Sequence, residues 1–221
     1  ILKERGKSEL LNQVRAVSDM VHIAYVRQKE ALGLGHAVLT ARGFIGCEPF
    51  AVLLGDDVIV ADTPCIRQMI EIHERYQTSV VAIMEVPGGE VSRYGIIGAK
   101  PLESEDGRLF EVKDMIEKPA VREAPSNLAI IGRYILTPGI FDALEETARG
   151  SGGEIQLTDG LRGLLAKERV LGYQFRGRRY DAGEKLGFLK ATVEFALKSE
   201  ELGPSFLEYL RSLDLNKMQT G

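Results

Sequence analysis

Phe50-Ala51-Val52-Leu53-Leu54-Gly55-Asp56-Asp57 is an unbroken apolar run that stops at a glycine and is followed at once by two carboxylates. A continuous apolar run predicts a strand covered on both faces, in the middle of a parallel sheet. In open α/β sheets the ligand crevice lies outside the carboxyl ends of the strands, so Asp56 and Asp57 are expected to emerge where a ligand sits. Gly55 lets the backbone come close to that ligand. Paired carboxylates at such an edge suit Mg2+, which one or two acids and the phosphates of a substrate commonly hold. The plain alternative is that two acids merely begin a loop.

Outward from this run the chain alternates. Ser8 to Val17 has helical spacing, Val21 to Val26 is strand-like, and Gly33 to Phe44 returns to helix. Asp62 is a plausible N-cap for the stripe Ile66, Met69, Ile70, His73 and Tyr76, and Ser79 to Val86 is a further apolar strand. This βαβαβ rhythm predicts a parallel sheet with right-handed crossovers. From about residue 90 the rhythm changes. Tyr94–Ala99, Leu109–Ile116 and Asn127–Leu136 read as strands with short turns between them. Helices are expected over 138–147, 157–167 and 184–198, strands over 171–175 and 179–181, and a short amphipathic segment around Phe206 to Leu210. The expected organisation is a catalytic domain over residues 1–200 and an amphipathic tail over 201–221.

The 221 residues are 44% hydrophobic and 27% charged, enough for one sizeable α/β core. A formal net charge of −4 gives no footprint for nucleic acid, and no run reaches the ~18 apolar residues that span a bilayer. Cys47 and Cys65 show no metal or redox spacing and are expected as buried, reduced thiols of a cytoplasmic protein. Ile1-Leu2-Lys3-Glu4-Arg5 reads as the continuation of a segment already under way, without a signal-peptide pattern.

Four constellations bear on chemistry. In Val26 to Ala37 a strand end, a polar loop and the pair Gly33 and Gly35 lead into a helix, so backbone N–H groups can approach a base or a phosphate. Gln28 offers the donor and acceptors that match the imide edge of uracil or thymine. An ordinary strand-to-helix turn is the competing reading, and the dinucleotide spacing G-x-G-x-x-G is absent. The second constellation joins Val91 to Gly98 with Met115-Ile116-Glu117-Lys118-Pro119. There a carboxylate can accept from sugar hydroxyls while an ammonium faces a phosphate, although an adjacent Glu-Lys pair also suits a solvated edge. In Arg179 to Lys185, Asp181 ends a short strand and can face Asp56 across one Mg2+, or serve only as a helix cap. The fourth, Gly152 to Asp159, reads as a structural loop feeding a helix.

Taken in order, VRQKEALGLGHAV, FAVLLGDD, VSRYGII, MIEKP, AIIGRYIL, GGEIQLTDGL and GRRYDAGEKLGFLKA closely resemble the bacterial UTP–glucose-1-phosphate uridylyltransferases, within the sugar-1-phosphate nucleotidylyltransferases. The resemblance runs over residues 8–197. It implies an α/β, Rossmann-like three-layer nucleotidyltransferase fold with a mixed, mostly parallel central sheet. It also implies transfer of a uridylyl group from UTP to glucose 1-phosphate, giving UDP-glucose and pyrophosphate with Mg2+ as cofactor, in a homo-oligomer (dimer or tetramer). By position it assigns Asp56 and Asp181 to the metal, Gln28 and Gly33 to the uracil ring, and Gly95 to a backbone contact with the sugar. Glu117 matches the ligand of glucose hydroxyls and Lys118 the lysine at the sugar phosphate, while Asp57 supports the loop.

One departure stands out. The family begins with a strand and a glycine-rich loop carrying Arg and Lys that grips the triphosphate, and no G-x-G-x-R segment occurs in residues 1–221. The first βα unit is therefore expected to be missing from the chain as given, and residues 1–221 alone are expected to turn over little. A UDP-sugar-dependent glycosyltransferase and a non-catalytic nucleotide-sugar-binding homologue remain as rival readings. The segments MIEKP and YDAG favour the nucleotidylyltransferase over the former, and retention of both Asp56 and Asp181 argues against the latter. No G-x-x-x-x-G-K-[ST] motif supports a P-loop kinase.

Overall fold

The computed structural model describes residues 6–104 and 106–214. The chain divides into two compact units, residues 1–31 and 32–221. In the first, α1 (Ser8–Asp19) is followed by a stretch without regular secondary structure over residues 22–28. The strand predicted at 21–26 does not form: no described strand pairs with it, and Tyr25 is 90% exposed. An alternating apolar pattern is compatible with a strand, but a strand exists only through a hydrogen-bonded neighbour.

The second unit opens with α2 (Leu34–Thr40) and α3 (Arg42–Ile45), then β1 (Phe50–Leu53), β2 (Asp57–Val60) and α4 (Cys65–Tyr76). The strands β3 (Ser79–Glu85), β4 (Gly95–Pro101), β5 (Leu109–Glu117) and β6 (Leu128–Leu136) follow, with 3-10 turns at Gly88–Arg93 and Val121–Glu123. After α5 (Gly139–Glu146) and α6 (Leu157–Leu164) come β7 (Val170–Gln174), β8 (Arg178–Asp181), α7 (Lys185–Lys198) and α8 (Gly203–Ser212).

Six strands form one sheet in the order β1-β6-β3-β7-β5-β4, and β2 and β8 form a separate antiparallel ribbon. The sheet is mixed, as expected. Its parallel character needs correcting: β1, β3, β4 and β7 run one way, yet only β3 and β7 are hydrogen-bonded parallel neighbours. β5 and β6 return through short connections, and each inserts between strands of the opposite direction.

The run at 50–54 is also placed differently from expectation. Among the described strands β1 lies at the sheet edge, antiparallel to β6, with Phe50↔Leu136 and Leu53↔Arg133 in register. Phe50 and Val52 pack on the core, while Ala51 and Leu53 face outward and Leu53 is 52% exposed. An apolar run records that both faces of a strand carry apolar side chains; it does not record whether both faces are covered.

Helices cover both faces of the sheet, which gives the three layers. On one face Val81, Ile83, Met115 and Leu136 pack against Val38 of α2, Phe141 and Leu144 of α5 and Leu161 of α6. On the other, Val80, Ala82, Leu171 and Ile135 pack against Cys65 and Met69 of α4. The alternation of β3 between these clusters explains why its run is apolar throughout. Burial of this kind stabilises by roughly 1.5–3 kcal/mol per large apolar side chain. Phe50 stacks on Phe141 with ring centroids 5.0 Å apart.

Pro64, not Asp62, stands at the N-cap of α4, and no side chain caps that helix. The Gln68 amide instead donates to the Thr63 and Arg176 carbonyls, at 2.7 and 2.8 Å, and accepts from the Arg176 N–H at 2.9 Å. This ties the start of α4 to the β7–β8 connection. Of the two thiols, Cys65 is buried, which pushes it up to about 11, whereas Cys47 is exposed, contrary to expectation. No helix among the described residues is long and apolar enough to cross a membrane.

Candidate active site

The β2–β8 ribbon brings Asp56 and Asp181 together. Its register pairs Asp57 with Asp181 and Ile59 with Arg179, and the Ala182 N–H donates to the Asp56 carbonyl at 2.7 Å. Beyond the ribbon the chain turns at Gly183. A Cβ on Gly183 would lie 2.8 Å from Asp56 Oδ2 and 3.3 Å from Asp181 Oδ1, so glycine leaves open a notch that both carboxylates border. Among the described residues no three His, Cys, Asp or Glu side chains converge as a metal cage. A two-carboxylate donor set fits Mg2+ when substrate phosphates complete the coordination.

Asp57 points away from that notch. Its side chain is 6% exposed; Oδ2 accepts from the Gly132 N–H at 2.7 Å, and Oδ1 accepts from Arg179 Nε. Asp57 therefore anchors the turn, as expected. Arg133 braces the same turn by donating to the Leu54 carbonyl at 2.9 Å, to the Gly132 carbonyl at 2.7 Å and to the Asp57 carbonyl. Arg179 occupies the diagonal position to Asp57 across the ribbon, where long side chains meet. Besides Asp57 it reaches Asp181 Oδ2 at 3.1 Å and the Tyr94 hydroxyl at 3.3 Å, and it lies 5.4 Å from the Tyr94 ring centre. Burial works against the Arg179 charge, but the carboxylates of Asp57 and Asp181 and the hydrogen bond to Tyr94 outweigh it and raise its pKa.

A second corner is built by the β4–β5 hairpin, which pairs Gly95 with Glu117. A Cβ on Gly95 would lie 2.7 Å from Thr158 Oγ1 and 3.2 Å from Glu117 Oε2. Thr158, in the first turn of α6, donates to Glu117 Oε2 at 2.6 Å and so fixes that carboxylate. Lys118 follows with φ 44°, a left-handed conformation that is uncommon for a non-glycine residue. Its N–H donates to the Tyr94 carbonyl at 3.0 Å, and its ammonium lies 3.8 Å from Glu117 Oε1 with the side chain 60% exposed. Backbone strain of this kind clusters where a side chain must point at a ligand. Tyr94 thus links the corners, holding Lys118 through its carbonyl and Arg179 through its hydroxyl. The Tyr134 phenol is pushed above its ordinary range by burial, then by the charges of Glu117, Asp57 and Asp56, with Arg179 opposing.

Gly33 stands at the N-cap of α2 with φ 97°, and a Cβ there would meet the Ile155 carbonyl at 2.7 Å. The Ile155 N–H donates to the Leu32 carbonyl and the Ile155 carbonyl accepts from the Gly35 N–H, at 2.7 and 2.9 Å. The segment read as purely structural, Gly152 to Asp159, therefore joins the glycine loop to Thr158 and through it to Glu117. Gln28 belongs to the first unit, where it is half-buried at the end of the irregular stretch. The two carboxylate corners and the glycine loop at Gly33 are built from the second unit.

Sequence reasoning singled out Asp56, Asp57, Gly95, Glu117, Lys118 and Asp181 but passed over Arg133, Arg179, Thr158 and Tyr94. The signal for Arg179 was available: it stands two residues before Asp181 on a strand and so shares its face. Thr158 gave none, because its partner Glu117 lies on another element.

An α/β/α fold with paired acids at a strand end, beside a hairpin that presents adjacent carboxylate and ammonium groups, is the framework of a nucleotidyl transferase. The Nucleotidyl transferase family profile matches residues 1–197, and the chain belongs to that family. It is 52% identical over 216 residues to the UTP–glucose-1-phosphate uridylyltransferase of Bacillus subtilis strain 168, covering 98% of this chain and 73% of that protein. A UTP–glucose-1-phosphate uridylyltransferase of Staphylococcus epidermidis is 48% identical, with 97% and 74% covered. The crystal structure of a UDP-glucose pyrophosphorylase complexed with UDP-glucose superposes with a TM-score of 0.82 at 45% identity, covering 88% of this chain and 74% of that one. A UTP-bound enzyme from Acinetobacter baumannii gives 0.82 at 34% identity, with 96% and 74% covered.

Proposed function

We propose that the chain transfers a uridylyl group from UTP to glucose 1-phosphate, forming UDP-glucose and releasing pyrophosphate. A phosphate oxygen of glucose 1-phosphate attacks the α-phosphorus of UTP in line, and the bond to the β,γ-diphosphate breaks. The nucleophile is already ionised at neutral pH, so no general base is needed. Positioning and charge neutralisation carry the catalysis.

The observation that carries this reading is the bridge from one corner to the other: Tyr94 holds Lys118 at its carbonyl and Arg179, partner of Asp181, at its hydroxyl. Glu117, fixed by Thr158, accepts from sugar hydroxyls, and Gly95 lets the sugar approach the backbone. Lys118 faces the sugar phosphate as a point charge, offsetting repulsion between two anions. Gly33 lets the uracil ring approach the backbone, and Gln28, in the first unit, carries the amide that matches the imide edge of uracil. Asp56 and Asp181 hold Mg2+, which when bound neutralises charge on the phosphate oxygens. The reading places the enzyme in the cytoplasm as a homo-oligomer, without nucleic-acid or membrane partners.

The test is pyrophosphate release from UTP, glucose 1-phosphate and Mg2+, run beside UDP-glucose binding. Release that requires Mg2+, or a gain in UDP-glucose affinity on adding Mg2+, supports the reading when Asp56→Asn abolishes it. A preparation that neither forms nor binds UDP-glucose overturns it.

A further inference from the structure

We infer that Arg179 is a positioning residue that sets how Asp181 presents itself to the divalent cation, and through that which cation the site prefers. This rests on the proposed function, because it takes Asp56 and Asp181 as the ligands.

Asp181 has two carboxylate oxygens with different surroundings. Oδ2 lies 3.1 Å from the Arg179 guanidinium, while Oδ1 borders the Gly183 notch with Asp56 Oδ2. The guanidinium cannot easily swing aside. Nε is engaged with Asp57, Nη1 with the Tyr94 hydroxyl and Nη2 with Asp181, and the side chain is only 10% exposed. Its plane also rests near the Tyr94 ring. Three separately held nitrogens on a rigid planar fork fix one carboxylate oxygen and, among the described residues, leave the other free.

A carboxylate with one free oxygen is a monodentate ligand. Mg2+ demands near-octahedral geometry with short single-oxygen bonds, whereas Ca2+ accepts more oxygens and readily takes a carboxylate through both. Holding Oδ2 out of reach thus favours Mg2+ over Ca2+. Lysine at 179 keeps the charge, but as a point donor it cannot hold Asp57, Tyr94 and Asp181 together. Asp181 Oδ2 is then released, and Ca2+ gains a ligand that Mg2+ does not need.

The experiment measures Mn2+ binding to the 221-residue protein with UDP-glucose present, by the paramagnetic resonance signal of free Mn2+, and its displacement by Mg2+ and by Ca2+. Asp181→Asn locates the site, and far-ultraviolet circular dichroism verifies each fold. In Arg179→Lys the preference for Mg2+ over Ca2+ is expected to fall about tenfold while Mn2+ still binds, the scale at which outer partners tune a metal site. Should that variant not fold, Tyr94→Phe removes one anchor of the guanidinium and shifts the preference in the same direction by less. An unchanged preference in a folded variant that binds Mn2+ overturns the inference alone. Mn2+ binding that survives Asp181→Asn, or fails in the wild type, overturns the metal assignment beneath it. A purely structural ion pair would alter melting but not cation preference.

Discussion

The two corners of the site are organised in opposite ways. At the ribbon, Asp57 and Arg179 are buried, with side chains 6% and 10% exposed, and each charge is met by a partner. At the hairpin, Lys118 is 60% exposed and its ammonium reaches Glu117 at 3.8 Å, from a backbone held at φ 44°. One corner is completed by the protein itself. The other keeps a charge at the surface on a strained backbone. Stability and activity are therefore expected to separate between them.

The largest expected effect lies at the ribbon. Asp57→Ala leaves the Arg179 charge and the Gly132 N–H without their buried partner and should cost about 3–5 kcal/mol in urea unfolding. A loss under 1 kcal/mol would break the contrast. Next comes the packed part of the hairpin: Gly95→Ala drives a methyl to within 2.7 Å of Thr158 Oγ1. Overpacking of this kind should cost about 1–3 kcal/mol and raise the KM for glucose 1-phosphate, because Glu117 is displaced with Thr158. The smallest and most discriminating change is Lys118→Gly. Relief of the left-handed backbone should leave stability unchanged or higher by up to about 1 kcal/mol, while the affinity for glucose 1-phosphate falls. If stability falls with affinity, Lys118 is a structural residue after all.

How far the sequence reached depends on whether a residue's neighbours are local. The helix over Cys65–Tyr76 and the strands over Ser79–Glu85 and Leu128–Leu136 were legible because their periodicity records burial directly. The strand at Phe50–Leu53 was legible as a strand but not as an edge, since Leu53 is apolar and exposed at once. Val21 to Val26 also reads as strand-like but pairs with no described strand. β2 was not foreseen at all: Asp57-Val58-Ile59-Val60 is short, and its pairing with β8 depends on chain more than a hundred positions away. Within the site, residue types announced the acids and Lys118, whereas Arg179, Arg133 and Thr158 act through partners on other elements. Only the ribbon register and the packing of α6 on the hairpin reveal them.

The pairing of Asp56 and Asp181 on one cation is tested most directly by the Mg2+ dependence of UDP-glucose affinity, measured by calorimetry in the wild type, Asp56→Asn, Asp181→Asn and the double variant. Mg2+ should tighten binding in the wild type. Each single substitution should abolish that gain, and the double should lose no more than either alone, as residues acting as a unit do. A Mg2+ effect that persists in either single variant, or losses that add in the double, would contradict a shared site.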